Sequence, residues 1–220
     1  MSGRILGIWG AGGLGREVLE LAKIINSRSR KWAGFVFIVD DVTCREISGI
    51  EVLEYAEAKE RYGDSLEVIV GIGEPAVREK KYVQLEADNA TITTLIHPDV
   101  YVPESTQVGH GVIIQYGCFV SCNVVIDDYV CIQPQCNIGH DAHLRKGCVV
   151  SGFSNLAGGV DVGENTYLAM STVIQERIAV GSNTIIGMGS IVHKAIPDNV
   201  IAMGNPARPM KKNEARRVFK

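Results

Sequence analysis

Apolar residues recur at every sixth position through the second half of the chain. In steps of six from Val108 to Val192, each residue is valine, isoleucine or leucine. A period of six fits neither one face of a helix nor the two-residue alternation of an ordinary strand. It is typical of a parallel β-helix, in which each six-residue unit forms one short strand and one corner, and three units close one triangular turn. Each turn then buries its apolar residues only against the turns above and below.

The fifth residue of each unit is expected to point inward together with the first, because it is mostly small or β-branched. Three of the six cysteines occupy this position, namely Cys118, Cys136 and Cys148. The chain has no CxxC pair, and free cysteines are among the most buried residue types. This arrangement predicts free thiols that fill the core of a protein in a reducing compartment.

The first half of the chain alternates short apolar runs with stretches of helical periodicity. Such alternation predicts a small parallel sheet flanked by helices. The predicted strands cover residues 4–9, 35–40, 66–73 and 93–98, with helices over residues 16–26, 53–62 and 75–87 and a turn over residues 47–50. We therefore predict a Rossmann-like α/β domain over residues 1–97, followed by an all-β domain with a C-terminal tail over residues 98–220.

The chain after Pro197 is predicted to leave the coil. The segment MGNPARPM contains one glycine and two prolines, which are poor residues for strands and helices. The basic segment KKNEARRVF that follows fits either a terminal helix over the last turn or a solvated tail.

Composition and charge exclude several classes of function. Charged residues make up 21% of the chain and the net charge is −3, which gives no electrostatic basis for binding nucleic acid. No apolar run is long enough to span a bilayer, and the N-terminal residues lack the cleavage pattern of a signal peptide. We therefore expect a cytoplasmic protein without a membrane span.

A glycine motif follows the first predicted strand. Gly10, Gly12 and Gly15 form GxGxxG between a strand and a helix, where glycines let the backbone approach a phosphate at the helix N-terminus. The next strand ends in Asp40 and Asp41, about where an acidic residue meets a ribose hydroxyl. A tight turn that binds nothing would leave the same pattern. The region holds only one half of a dinucleotide fold, so a nucleotide-linked sugar fits it better than the cofactor of a dehydrogenase.

Among the five histidines, His140 stands in the most suggestive surroundings. It is the third residue of the unit IGHDAH, near a corner, with Asp141 beside it. A neutral imidazole can take a proton from an attacking amine or hydroxyl. Adjacent strand residues point to opposite faces, so the two side chains meet only if the corner rotates one of them. A metal site using His143 as well is the weaker alternative, because the γ-class carbonic anhydrases space their histidine pair differently.

Several motifs together resemble the PglD/NeuD group of bacterial sugar acetyltransferases. They are GAGGLGRE with a following DD, VGIGEP, LIHP, NIGHDAHL, LAGGVDVGEN and MGNPA. The group belongs to the hexapeptide-repeat acyltransferases, so the resemblance implies a left-handed β-helix, although parallel crossovers are generally right-handed. It also implies a homotrimer in which acetyl-CoA lies between neighbouring coils, with no metal.

The resemblance also assigns roles to individual residues. His140 would be the general base, Asp141 would orient it, and the N–H of Gly158 would stabilise the oxyanion. Met170 and Met188 match positions that contact acetyl-CoA. The positions that match the nucleotide-sugar site are Gly12, Gly13, Leu14, Asp40, Asp41 and Gly73. The chain departs from the group at Gln133, where relatives often have asparagine, at Val149, where some have histidine, and at Leu14, which replaces a histidine.

The predicted function is the direct, acetyl-CoA-dependent N-acetylation of a nucleotide-linked aminosugar. The implied setting is the synthesis of bacterial surface-glycan or glycoprotein sugars. One alternative is an O-acetyltransferase of a sugar or of sialic acid, which would use the same base. Another is a protein that binds a nucleotide-sugar without catalysing a reaction.

Overall fold

The computed structural model describes residues 3–219, whose contacts divide into two compact units. The first unit comprises residues 3–73 and 80–95, and the second comprises residues 74–79 and 96–219. Residues 74–79, which we placed in the N-terminal domain, thus belong to the second unit. The division of function between two domains stays a prediction.

A six-stranded sheet forms the centre of the first unit. Its strands are β1 (Arg4–Trp9), β2 (Trp32–Val39), β3 (Glu46–Ile47), β4 (Ile50–Glu54), β5 (Leu66–Val70) and β6 (Thr91–Ile92). Their order is β3-β4-β2-β1-β5-β6, and all neighbours are parallel except the hairpin of β3 and β4. The order reverses between β1 and β5, and α/β sheets bind ligands at the carboxyl ends of the strands at such a point.

The helices of the N-terminal half are α1 (Gly13–Ser29), α2 (Tyr55–Tyr62), a 3₁₀ helix (Gly63–Ser65) and α3 (Pro75–Ala87). Val18, Leu19 and Ala22 form the buried stripe of α1, as their helical spacing predicts. This helix starts earlier than predicted, because residues 13–15 of the glycine motif form its first turn. The prediction of a helix from residue 53 was wrong, since Leu53 belongs to β4.

Two predicted strands have different limits in the structure. The third ends at Val70 rather than at residue 73. A side chain at Gly71 would lie 2.8 Å from the Cα of Gly15, so the backbone here passes directly against α1. The fourth was predicted over residues 93–98, but the sheet instead uses Thr91–Ile92. Residues 95–96 form a separate short strand, β7 (Leu95–Ile96).

The second unit is a left-handed parallel β-helix, which confirms the predicted fold class. Each strand between residues 107 and 174 pairs in parallel with the strand 18 residues later, for example Cys131 with Val149, so three units close one turn. The strands of the coil are β8 (Gln107–Val108), β9 (Ile113–Ile114), β10 (Phe119–Val120), β11 (Val125–Ile126), β12 (Cys131–Ile132), β13 (Asn137–Ile138), β14 (His143–Leu144), β15 (Val149–Val150), β16 (Asn155–Leu156), β17 (Asp161–Val162), β18 (Tyr167–Leu168), β19 (Val173–Ile174), β20 (Ala179–Val180), β21 (Ile185–Ile186) and β22 (Ile191–Val192).

Two of the three faces of the coil are five-stranded sheets. The Phe119 face has the order β10-β13-β16-β19-β22, and the His143 face has the order β20-β17-β14-β11-β8. First and fifth residues of the units line the interior, where Ile132, Cys136 and Val160 are fully buried. Buried threonines replace apolar residues at some fifth positions and donate to backbone carbonyls, as Thr172 Oγ1 does to Ala169 O at 2.7 Å. The polar interior positions therefore carry their own hydrogen bonds.

The corners of the coil share one backbone feature. From residue 111 to residue 189, every fourth residue of a unit has a positive φ. Glycine and asparagine adopt this left-handed conformation most readily, and they occupy eight of these 14 positions. The remaining corners hold larger residues such as Tyr129 and Asp141, which the stacked turns keep in the same conformation.

The prediction that residues 203–210 avoid regular structure was wrong. The segment forms most of a hairpin of β23 (Val200–Gly204) and β24 (Ala207–Lys212) around a cis Asn205–Pro206 bond. The third face is accordingly an eight-stranded sheet with the order β24-β23-β21-β18-β15-β12-β9-β7, and Pro209 is tolerated because β24 is an edge strand. Residues 213–219 form no helix, and Glu74 accepts hydrogen bonds from the N–H groups of Val218 and Phe219. Within residues 3–219, no helix has the length and apolar character needed to cross a membrane.

Candidate active site

His140 lies at a corner of the coil between β13 and β14. Asp141, the next residue, has a φ of 57°, so the chain turns between the two. Their side chains consequently meet instead of facing opposite sides, and His140 Nδ1 lies 2.7 Å from Asp141 Oδ2. The contact that could not be established from the sequence is therefore present.

Asn123 holds the other oxygen of the same carboxylate. It occupies the equivalent corner position one turn earlier, 18 residues before Asp141, and its Nδ2 donates to Asp141 Oδ1 at 3.1 Å. Sequence reasoning missed this residue. The signal was available, because a six-residue period with three units in each turn places residues 123 and 141 one above the other.

These contacts decide the charge and the tautomer at the corner. The hydrogen bond from His140, followed by that from Asn123, lowers the pKa of Asp141 below its ordinary value of 3.8. The carboxylate is therefore ionised at neutral pH and can only accept a hydrogen bond. In a neutral His140 the proton must then reside on Nδ1, which leaves the lone pair of Nε2 available to take a proton. The side chain of His140 is 63% exposed, so this nitrogen is accessible to a substrate.

Gly158 lies against the histidine ring from the next turn of the same corner. A Cβ atom at this position would stand only 2.5 Å from both Cε1 and Nε2 of His140. A residue with a side chain would thus displace the ring. Among the residues that the structure describes, none accepts a hydrogen bond from the N–H of Gly158. The corner therefore offers a proton acceptor and a backbone donor side by side.

Met170 and Met188 lie at a different corner from His140. Both are exposed third residues of their units and stand one turn apart, with Gly189 N donating to Met170 O at 2.9 Å. The corner that carries His140 and Gly158 follows the Phe119 face along the chain, whereas the methionine corner precedes it. One copy of the coil therefore does not bring the predicted acetyl-CoA-binding methionines to the predicted base.

The predicted nucleotide-sugar residues of the first unit lie at the carboxyl end of its sheet. Gly12 caps α1 directly after β1, and Gly13 and Leu14 form the first turn of the helix. An added Cβ at Gly12 or Gly13 would meet no atom within 4 Å, so these glycines leave open space above the backbone. Gly73 follows β5, the neighbour of β1 in the sheet. The helix N-terminus and the strand-order reversal thus coincide here.

Asp40 and Asp41 follow β2 at the same edge of the sheet. Lys81, which the sequence analysis did not single out, places its Nζ 2.6 Å from Asp40 Oδ1. The same ammonium lies 4.8 Å from the ring centroid of Trp9, the last residue of β1. The sequence contains no signal for this contact, because only the fold brings α3 to the end of β2.

The structure assigns His143 to a separate position from His140. His143 lies on a flat face of the coil, and its Nε2 is 3.0 Å from Asp127 Oδ2. Within residues 3–219, no group of three or more His, Cys, Asp or Glu side chains is arranged to hold a metal ion. None of the six cysteines forms a disulfide bond.

Comparison with known proteins finds relatives of this chain. Residues 5–85 match the family described as the PglD N-terminal domain. The chain is also 26% identical to the GDP-perosamine N-acetyltransferase of Escherichia coli O157:H7, over 95% of this chain and 97% of that protein. These matches confirm the resemblance to PglD-type sugar acetyltransferases that the motifs indicate.

Two solved structures resemble this chain over nearly its whole length. PerB from Caulobacter crescentus, in complex with CoA and GDP-perosamine, is 27% identical with a TM-score of 0.85, covering 94% of this chain and 97% of that one. The acetyltransferase domain of PglB from Neisseria gonorrhoeae FA1090, in complex with acetyl coenzyme A, is 27% identical with a TM-score of 0.87, covering 94% of this chain and 100% of that one. Both proteins thus share the sheet and the coil.

Three positions where this chain departs from the PglD/NeuD group can be located in the structure. Gln133 directs its Oε1 to its own coil and accepts a hydrogen bond from Gly152 N at 3.2 Å. Val149 is fully buried, so it offers no side chain to a ligand at the surface. Leu14 contributes only its backbone at the start of α1. The roles of the individual site residues stay predictions.

Proposed function

We propose that this protein is an acetyl-CoA-dependent N-acetyltransferase that acts on the amino group of a nucleotide-linked aminosugar. One observation carries the mechanism. The Nε2 of His140 is free while its Nδ1 is bound to an ionised Asp141, and the backbone of Gly158 lies against the same ring. The names of the relatives support the choice of an amine acceptor and of a nucleotide-linked sugar.

In the proposed reaction the sugar amine attacks the carbonyl carbon of the thioester. His140 Nε2 takes the proton from the amine as the C–N bond forms, and the N–H of Gly158 stabilises the negative charge on the carbonyl oxygen. Collapse of this intermediate breaks the C–S bond, and the CoA thiolate takes the proton from the imidazolium. Asp141 remains ionised throughout and stabilises the imidazolium.

Transfer is direct, without an acetylated enzyme. Cys136 and Cys148, which flank the corner in sequence, are fully buried inside the coil, whereas Cys122 is exposed one turn before His140 at the same corner. Burial raises the pKa of the Cys148 thiol, so this side chain is neither accessible nor ionised at neutral pH. A base that activates the acceptor is therefore preferred to either of these two buried thiols as a nucleophile.

We assign nucleotide recognition to residues 1–97 and acetyl transfer to residues 98–220. The open backbone at Gly12 and Gly13 and the helix N-terminus suit a diphosphate. Asp40 or Asp41 at the end of the neighbouring strand suits a ribose hydroxyl. The proposed setting is the cytoplasm of a bacterium that builds surface-glycan or glycoprotein sugars, with GDP-perosamine, the sugar named with two relatives, as the first substrate to test.

We further propose that the active enzyme is a homotrimer. The Phe119 face and the corner before it expose apolar side chains that include Phe119, Val173, Met170 and Met188. An apolar surface of this kind marks an interaction site. A second copy packed on it would bring the methionine corner of one subunit towards the His140 corner of another, which a single coil does not achieve.

The test is an assay of thiol release from acetyl-CoA against GDP-, UDP- and dTDP-linked aminosugars and free sialic acid. We expect release with at least one nucleotide-linked aminosugar, with N-acetylation of the product confirmed by mass spectrometry. Release with sialic acid alone would establish the O-acetyltransferase alternative instead. Binding of a nucleotide-linked sugar without any release would show that the protein only binds it.

A further inference from the structure

Lys81 is held in a fixed position at the ligand edge of the first unit. Its side chain is only 15% exposed, with the ammonium 2.6 Å from Asp40 Oδ1 and 4.8 Å from the Trp9 ring centroid. Trp9 is itself buried and stacks on Tyr55 with ring centroids 4.7 Å apart. The lysine thus rests on an aromatic pair that the sheet holds rigid, and it gives up little additional side-chain freedom when it pairs with Asp40.

This ion pair differs from the other lysine–aspartate pair of the first unit. Lys59 and Asp88 are 3.5 Å apart, and the Lys59 side chain is 51% exposed. Exposed pairs of that kind usually contribute little, because two mobile side chains must be ordered and the charges are screened. Lys81 is packed and partly desolvated, so its hold on Asp40 is the firmer of the two.

The location of the pair gives it a consequence for ligand binding. Trp9 directly precedes the glycine turn, and Asp40 and Asp41 place two adjacent carboxylates at the same edge of the sheet. A nucleoside diphosphate that reached this edge would meet repulsion from both carboxylates. Lys81 offsets one of these charges. It also donates a hydrogen bond to Oδ1 of Asp40, whereas Oδ2 has no partner among the residues that the structure describes and can accept a hydrogen bond from the ligand.

We propose that Lys81 is a positioning residue for nucleotide recognition, which fixes Asp40 so that its free oxygen faces a ribose hydroxyl and offsets its charge beside the diphosphate. This inference rests on the proposed function for the presence of a nucleotide at this edge. It adds a residue of α3 to a site otherwise made from the glycine turn and the end of β2. Lys81 acts through Asp40 and not by touching the sugar that is acetylated.

The experiment measures GDP binding by titration calorimetry for the full chain and five variants, namely three single substitutions, Asp40→Asn and one double variant. We expect Lys81→Met, which keeps the aliphatic stem over Trp9, to weaken GDP binding about fivefold. Lys81→Arg should restore most of the affinity. Lys59→Met, which breaks the other lysine–aspartate pair, should bind like the unaltered protein. In an Asp40→Asn background, Lys81→Met should have no further effect, because its effect passes through Asp40. Thermal melts of all variants separate binding from folding.

Two kinetic results would sharpen the assignment. Lys81→Met should raise the KM for the nucleotide-linked sugar while kcat and the KM for acetyl-CoA stay unchanged. The inference fails if Lys81→Met and Lys59→Met bind GDP equally well, or if Lys81→Met weakens binding as strongly in the Asp40→Asn background. Absence of binding for GDP, UDP and dTDP alike would overturn both this inference and the proposed function. Nucleotide binding without acetyl transfer would contradict only the proposed function and would leave the role of Lys81 in nucleotide binding intact.

Discussion

Two histidines three residues apart have opposite environments in this coil. His140 stands at a corner, uses Nδ1 to bind Asp141 and leaves Nε2 in the open. His143 lies on the flat His143 face, and its Nε2 is occupied by Asp127 at 3.0 Å. Both have a carboxylate partner, so the presence of an adjacent acid does not distinguish them. The position within the six-residue unit does.

The corner provides two features that the flat face lacks. Asp141, the fourth residue of its unit, has a left-handed backbone conformation, which directs its side chain towards that of His140. Gly158, in the next turn of the coil, has no side chain, and the His140 ring lies where the Cβ atom of any other residue would be. On the flat face, His143 stands level with Asp161, and Arg145 binds the same carboxylate through two hydrogen bonds of 2.7 Å. The corner can therefore supply a proton acceptor to a substrate, whereas the charged groups of the flat face bind one another.

The strongest test of this comparison replaces each histidine in turn. We expect His140→Ala to lower kcat by about 10²- to 10⁴-fold, because the amine loses its proton acceptor. His143→Ala, the matched control from the same unit, should retain most of the activity. GDP binding should persist in both variants. Equal losses of kcat in the two would contradict the assignment of the base to the corner.

A second test leaves the imidazole in place and changes only the space beside it. The added Cβ of Gly158→Ala would stand 2.5 Å from two ring atoms of His140, so the ring must move. A displacement of about 1 Å can cost about 10² in rate, and we expect a fall in kcat of that order at an unchanged KM for the nucleotide-linked sugar.

Gly152→Ala is the folding control for that variant. Gly152 has the same position in its unit at another corner, where an added Cβ would approach no atom closer than 3.3 Å. The two variants should have similar melting temperatures. If Gly158→Ala instead unfolds while Gly152→Ala does not, Gly158 is needed for packing. The fall in kcat would then be no evidence for the position of the His140 ring.

The coil could be predicted from the sequence, whereas the contact between His140 and Asp141 at its corner could not. The apolar period of six determines which residues enter the core and which stack, so the coil and its turn of three units followed directly. The meeting of His140 and Asp141 did not follow, because it depends on φ at Asp141, a residue less typical of that conformation than glycine or asparagine. The glycine and asparagine residues at the equivalent positions of other units were the available signal.

The first unit was predicted less completely for a different reason. Its strands and helices carry no repeat, so limits had to be inferred from local propensity, and Leu53 was assigned to a helix although β4 extends through it. Contacts made by tertiary packing left no mark in the sequence at all. Lys81 reaches Asp40 across 41 residues, and no period links the two positions.

The smallest expected effect concerns the flat face, and it is a change in stability and not in rate. Hydrogen bonds from Arg145, aided by the nearby charge of His143, hold the pKa of Asp161 below its ordinary value of 3.8 despite partial burial. Because the folded protein has the lower pKa, the ion pair stabilises the fold fully above about pH 4, and this contribution is lost as the pH falls through the pKa of the folded state.

Arg145→Met should therefore lower the melting temperature at pH 7 by about 1–2 °C, as expected for a half-exposed pair that contributes about 0.5 kcal/mol. The difference from the unaltered protein should shrink in melts performed at successively lower pH, because protonation of Asp161 removes the ion pair from the unaltered protein. The kcat of acetyl transfer should not change. A variant that melts normally but loses activity would place the flat face in the reaction and remove the distinction between the two histidines.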